Sequence, residues 1–412
     1  MFISDTAHWS KSTFGTCDLG DKRRTKRLIQ MVTSLARNIG QSVVKSMDND
    51  SEVEGAYRLL RNPKVLGKDI AEGGFQATAT LAKKGMRLLA LEDTTSLNFS
   101  HGVSEGLGYI GPPSQKKKGI QVHSIVLVNA QSKETLGLIE QTRWHRKASV
   151  HAKKNQRLAE DYTDKESFKW QRSSEKMAAR LGDDMRQVIS VCDRESDIYE
   201  YLDYKVSHQQ GFVIRTRHNR KLNDSKEKLF ERIRELKGVG TYTLDIVQKR
   251  GRKARQATME LAYAPVRVLA PDRKQKDYSP IELTVVSCRE TSKTDHPVEW
   301  ILLTTEVIKT AEDARRIVGY YAARWKIEEF HKAWKSGGTQ IEKSRLQSEG
   351  NLERMAVILS FIAIRLLQLR EVIDTEKALR SKDCSHILNN IQWRILWQKL
   401  EKKNTQGRQN PV

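Results

Sequence analysis

Residues 87–93 read Arg-Leu-Leu-Ala-Leu-Glu-Asp, four apolar side chains in unbroken succession closed by two acids. A strand with one wet face alternates apolar and polar residues, so a run that is apolar throughout belongs to a strand covered on both faces. A first core strand, buried on both faces, is therefore expected. The following segments agree. VHSIVLVNA (122–130) and LGLIEQTRW (136–144) read as two more strands joined by a turn at Gln131–Lys133, Glu166–Leu181 as a helix, and QVISVC (187–192) as a fourth strand ending at Asp193. SDIYEYLDYKV (196–206) then reads as a helix and GFVIRTR (211–217) as a fifth strand, an order of β-β-β-α-β-α-β and hence an α/β fold built on a mixed sheet.

Helices flank this centre. Asp21 can cap a helix over 21–39, in which Leu28, Met31, Val32 and Leu35 recur at helical spacing before Gly40. A second helix fits Glu52–Arg61, stopped by Asn62-Pro63, so residues 1–70 are expected to form a small helical domain and 71–372 the main domain. Within the latter, residues 238–306 hold only β-prone runs separated by charged turns and read as an all-β insertion. Thr310 caps a helix from Ala311 to Trp334, and an apolar helix covers Leu352–Val372. Ser360, Arg365 and Gln368 interrupt the latter, which marks it as a buried core helix and not a membrane span. Residues 373–412 are expected to be a short helical remnant with a polar tail from Asp383.

The balance of charge points to the partner. Among 412 residues, 73 Lys and Arg face 51 Asp and Glu, a net charge of +22, which favours a polyanion, nucleic acid first. The N-terminus, MFISDTAHWSKS, has no apolar leader core, and no apolar run is long enough to span a bilayer, so a cytoplasmic protein without membrane contact is expected. The four cysteines, Cys17, Cys192, Cys288 and Cys384, form no C-x-x-C pair and read as ordinary thiols. Lys22, Arg23, Arg24, Lys26 and Arg27 crowd the start of the first helix, where burial would be costly and a DNA backbone is complementary, a solvated face being the alternative. Zinc-protease, P-loop and nucleophile-elbow motifs are absent, and the Gly-rich stretch 102–111 reads as a flexible connection.

Three acids stand where a mixed sheet gathers distant segments: Asp93 and Asp193 at strand ends, and Glu328 in the helix after the insertion. Oxygen ligands of this kind suit Mg²⁺ or Mn²⁺, and two such ions could support an in-line phosphoryl displacement. Asp at a strand end also serves as a helix cap, and both readings remain. In the helix, Arg324, Glu328 and Lys335 lie 3, 7 and 14 residues beyond Tyr321, at roughly −60°, −20° and −40° around an ideal helix, one narrow polar stripe. Glu329 falls at roughly 80° on the other side, which selects Glu328. Arg324 and Lys335 could hold phosphates, although an Arg324–Glu328 surface ion pair fits the same spacing. His331, with no second His at ligand spacing, reads as structural, Cys192 as packing, and Trp300 as a core aromatic or a platform for an unpaired base.

LEDTTSL around Asp93, VCDRESDIY around Asp193, and YAARWKIEEFHKAWK as Y-x2-R-x3-E-x6-K resemble the three catalytic blocks of bacterial DDE transposases. LGDKRRTKRL, EGAYRLLRNP, EWILLTTE and NLERMAVILSFIAIRLLQLRE narrow the resemblance to the insertion-sequence-four family, the Tn-five type of the kanamycin-resistance composite transposon, over roughly residues 8–373. The resemblance implies an RNase H-like core with a β-rich insertion, and Asp93, Asp193 and Glu328 holding two Mg²⁺ or Mn²⁺ ions. It implies nicking, hairpin formation, hairpin opening and strand transfer on double-stranded DNA at terminal inverted repeats and at a target. It further implies that Tyr321, Arg324 and Lys335 contact phosphates, that Trp300 receives a flipped base with help from Trp325, and that Arg23, Arg24 and Arg27 recognise the end. The family works as a homodimeric synaptic complex, and the C-terminal region here is shorter than the family's, so a truncated, non-catalytic DNA-binding inhibitor is the alternative expectation. A bacterial protein, nucleoid-associated when bound, follows from the same resemblance.

Overall fold

The computed structural model describes residues 5–100, 106–111, 117–146, 161–246, 254–292, 294, 297–374, 394–395 and 397–398. Cys384, the polar tail from Asp383 apart from residues 394–395 and 397–398, and part of the Gly-rich stretch lie outside them. Five helices come first: α1 (Thr6–Phe14), α2 (Lys22–Arg37), α3 (Val43–Ser46), α4 (Asp50–Arg61) and α5 (Gly67–Ala79). Asp21 caps α2 by accepting the Arg23 backbone N–H at 2.8 Å. α4 starts two residues before the expected Glu52, because the Asn49 side chain takes the Glu52 N–H and so serves as the cap.

Among the described residues the sheet has ten strands: β1 (Leu88–Asn98), β2 (Gly108–Tyr109), β3 (Lys118–Asn129), β4 (Thr135–Trp144), β5 (Val188–Cys192), β6 (Gly211–Arg215), β7 (Gly240–Ile246), β8 (Arg255–Val268), β9 (Ile281–Glu290) and β10 (Glu299–Thr304). β1 pairs antiparallel with β3 and parallel with β5, β3 antiparallel with β4, and β5 parallel with β6. The order β4-β3-β1-β5-β6, with β3 reversed, is an RNase H-like mixed sheet. As the apolar run required, Leu88–Leu91 are buried on both faces: Leu89 and Leu91 join one core, Leu88 and Ala90 another that includes Met177 and Leu181. Those two belong to α6 (Lys169–Leu181), and α7 (Tyr199–Ser207) and the unforeseen α8 (Leu229–Arg234) follow.

Among its described residues the run 238–306 holds four strands and one short 3-10 turn, Asp272–Lys274, so it is not wholly β, and its strands do not stand apart. β10 pairs antiparallel with β6 and β9 with β10, so β7–β10 lengthen the central sheet itself. The long apolar helix, α11 (Glu349–Asp374), lies within the core. Its Phe361 meets the rings of Phe14 and Phe75 at 5.3 and 5.7 Å, and Arg354 donates to the carbonyl oxygens of Leu60, at 2.8 Å, and Val65, tying α11 to the end of α4. Among the described residues no helix is long and apolar enough to cross a membrane.

Candidate active site

Asp93 was expected at a strand end but lies inside β1, which runs on to Asn98. The extension exists because β3 continues to pair with it, to Asn98↔Gly119, whereas the parallel pairing with β5 stops at Leu91↔Val191. Asp93 therefore stands just past the point where β1 and β5 part, and Asp193, the residue after β5, leaves the sheet on the neighbouring strand. Adjacent strands run about 4.8 Å apart, so the two acids are close. Asp193 also caps the short 3-10 turn Arg194–Ser196, accepting the Glu195 N–H at 2.9 Å.

The expected single helix over 311–334 is three pieces: α9 (Ala311–Ala323), α10 (Trp325–Lys332) and a π-helical turn, Ala333–Gly337. At the junction Arg324 and Ile327 each donate to a carbonyl three residues back, at 3.0 and 3.1 Å, a local overwinding. The uniform stripe is accordingly distorted. Arg324 Nη2 donates to Glu328 Oε1 at 3.1 Å, and Arg324 Nη1 lies 3.8 Å from Asp93 Oδ1. Lys335 has gone further along, its Nζ 3.4 Å from Thr95 Oγ1 and 3.6 Å from Glu342 Oε1. Thr95 is two residues beyond Asp93 on the same face of β1, so both cations address one surface.

His331, read from sequence as structural, contacts the first acid, its Nδ1 3.6 Å from Asp93 Oδ2, and its Nε2 is buried without a hydrogen-bond partner. A signal was present: His331 is three residues beyond Glu328, on a neighbouring line of the same helix. On the opposite face of β1, Glu92 is fully buried, 3.6 Å from His123 Nε2, and His123 Nδ1 meets Thr94 Oγ1 at 3.0 Å. Neither residue was singled out from sequence, where a Glu beside an Asp carries no mark of burial.

Burial pushes the Asp93 carboxyl up, but its contact with His331 and the charges of His331 and Arg324 outweigh this and leave it below its ordinary value. Asp193 is raised, first by burial and then by the Asp93 charge, against the opposing Glu195 N–H. Carboxylates in this neighbourhood are hard oxygen donors of the type Mg²⁺ and Mn²⁺ take. Among the described residues, however, no three Asp, Glu, His or Cys side chains are gathered as a metal cluster. The cation in contact with both Asp93 and Glu328 is the protein's own guanidinium. The donor chemistry thus suits a divalent ion, with Arg324 in contact with two of the three acids.

The remaining expected residues divide into two places. Tyr321 is buried, and its ring packs edge-on against half-buried Trp300 of β10, centroids 5.2 Å apart. Trp325 is 44% exposed at the start of α10. Arg23, Arg24 and Arg27 lie elsewhere, lining a cavity between α2 and α4 with Arg58 and Glu54. Arg23 is almost fully exposed and paired with Asp21, whereas Arg24 donates to the Leu19 carbonyl at 2.7 Å. Gly55 admits Arg27: a Cβ there would stand 2.6 Å from the guanidinium carbon.

A transposase DNA-binding family model matches residues 6–65, which include the three arginines. A transposase DDE-domain family model matches residues 130–366, which include Asp193, Trp300, Tyr321, Arg324, Trp325, Glu328 and Lys335 but not Asp93. Among solved structures, the chain is similar to a piggyBac transposase in a cryo-EM structure of its synaptic complex with hairpin DNA, at 11% identity, over 100% of this chain and 77% of that one, with a TM-score of 0.36.

Proposed function

We propose that this chain, which belongs to the transposase DDE-domain family, is a cut-and-paste DNA transposase whose Asp93, Asp193 and Glu328 serve phosphoryl transfer at the ends of its own element. The observation that carries the reading is the meeting of segments far apart in sequence around one guanidinium. Arg324 contacts Asp93 from β1 and Glu328 from α10, while Asp193 follows the strand beside β1. Within the family we place it with the Tn-five type, on the Tyr321, Arg324, Glu328 and Lys335 spacing.

A pair of Mg²⁺ or Mn²⁺ ions held by the three carboxylates would neutralise charge at the scissile phosphate and favour attack by water or a 3′-OH. The chain's own groups do the rest. Asp93, held ionised by its neighbours, is ready to act as a ligand at neutral pH. Arg324, as a planar fork, and Lys335, as a point charge, hold the phosphates on either side of the cut. Trp300 and Trp325 offer faces on which an unstacked base can rest, and Arg23, Arg24 and Arg27 grip the end through the helical domain of residues 1–70. The sequence of reactions is nicking by water, attack of the freed 3′-OH on the opposite strand, opening of the hairpin, and joining to target DNA. Two copies of the chain hold two ends in the working complex.

Purified protein given Mg²⁺ and duplexes carrying the element's terminal repeats is expected to produce nicks and then hairpins, resolved on a denaturing gel. Asp93→Ala, Asp193→Ala and Glu328→Ala are each expected to keep end binding while losing cleavage. Cutting that survives these changes would overturn the assignment.

A further inference from the structure

We propose that Arg324 is an internal cation that bridges Asp93 and Glu328 in the absence of DNA, and that a DNA phosphate and a divalent metal ion bind cooperatively because the phosphate draws this arginine away. The inference rests on the phosphoryl-transfer reading above and adds an order of events to it. Arg324 reaches two of the three acids, at 3.8 Å to Asp93 Oδ1 and 3.1 Å to Glu328 Oε1, with its side chain only 13% exposed. The fit is incomplete, since the buried Nη1 has no hydrogen-bond partner. Lys335, the other cation of the motif, is engaged at Thr95 and Glu342 and does not take the same place.

A metal ion that uses Asp93 and Glu328 removes the charge partners of a largely buried guanidinium, and an unpaired buried charge is costly. Without DNA, metal entry carries that penalty. A phosphate offers the same fork of N–H donors a bidentate acceptor, so once it is present the arginine can leave the acids without losing a partner. By linkage, whatever the phosphate adds to metal affinity, the metal adds to DNA affinity. The arrangement keeps the carboxylates from loading with metal, and so from acting on water, until a phosphodiester is in place.

The test is Mn²⁺ binding to the full chain, followed by the electron paramagnetic resonance signal of free Mn²⁺, with and without duplex DNA carrying the terminal repeat. Wild type is expected to bind Mn²⁺ weakly alone and more tightly with DNA, by a factor within the range of about 5 to 150 common for coupled sites. Arg324→Gln is expected to bind tightly without DNA and to gain much less from it. Lys332→Gln, which removes one positive charge from an exposed position of the same helix, is expected to bind Mn²⁺ as wild type does. Equal gains in Arg324→Gln and Lys332→Gln would reduce the effect to general electrostatics and overturn the proposal, as would an undiminished DNA effect in Arg324→Gln. If Arg324→Gln does not fold, Arg324→Lys, which keeps charge but not the fork, serves the same comparison, with a smaller DNA effect than wild type expected. Mn²⁺ binding unchanged by Asp93→Asn combined with Glu328→Gln would instead refute the underlying site assignment.

Discussion

Asp197 offers the sharpest test of how the site is held in shape. It follows the turn that Asp193 caps, is 1% exposed, and lies beyond direct reach of any substrate. Its Oδ2 accepts from Thr216 Oγ1 at 3.0 Å and from the backbone N–H groups of Arg217 and His218 at 2.7 and 2.8 Å. Its Oδ1 accepts from Arg220 Nε at 3.2 Å and from Arg220 Nη2. One carboxylate thus fastens the Asp193 turn to the chain leaving β6. Asp197→Ala strands the buried Arg220 charge, and breaking one side of such a pair costs about 3–5 kcal/mol. At about 1.4 kcal/mol per tenfold, the folded-to-unfolded ratio is expected to fall by roughly two to nearly four powers of ten, read from urea unfolding by circular dichroism. Adding Arg220→Met removes the stranded charge and is expected to recover part of the loss. The pH response follows. Burial raises the Asp197 carboxyl, but Arg220 and the two N–H groups outweigh it and leave the folded value lowered. Its contribution is therefore complete above the ordinary Asp value of about 3.9 and is lost as pH falls below that toward the folded value. Asp197→Ala should flatten this acid limb. An Asp197→Ala protein within about 0.5 kcal/mol of wild type, as for an ordinary surface change, would refute the argument, and so would a double variant no more stable than the single one.

Gly55→Ala is expected to separate folding from DNA binding. Alanine is the better residue in a helix by about 0.5–1 kcal/mol, and the atom in its way is the end of the flexible Arg27 side chain, so thermal stability should hold or rise while end affinity in a gel-shift assay falls; unchanged affinity would remove Arg27 from the interface. End binding should also weaken steeply and linearly in log–log form with salt, and Arg23→Ala should reduce the slope by about 0.9, the share of one phosphate contact. A flat salt response would contradict the role given to the +22 charge.

What was legible in the sequence follows from the range over which each signal acts. The double burial of Leu88–Leu91 is written in four consecutive side chains, and the structure places cores on both faces. The continuation of β1 through Thr94–Asn98 is not local, because it depends on a partner strand some twenty residues on, and that is why Asp93 was expected at an end. The same limit applies to the run 238–306. Each strand there announces itself by composition, but the β10–β6 pairing that joins them to the central sheet is a matter of register between segments, which no single stretch encodes.

The helix bearing Glu328 shows the limit most closely. A uniform 3.6-residue period places Tyr321, Arg324, Glu328 and Lys335 on one line, and it brings Arg324 to Glu328, a contact within one turn. Over longer spans the period fails, because the chain is overwound at Arg324 and underwound at Ala333–Gly337. Tyr321 thereby packs on Trp300 and Lys335 advances to Thr95. His331 has no second histidine at ligand spacing in the sequence, yet its partner is Asp93, on a strand that only the fold brings near. The sequence carries the types of group and their order along one helix; which carboxylate each cation meets is decided by where β1 lies beneath that helix. Arg324 belongs to both levels at once, paired within its own turn to Glu328 and across the fold to Asp93, and that double membership is what makes it the residue able to couple DNA contact to the state of the acids.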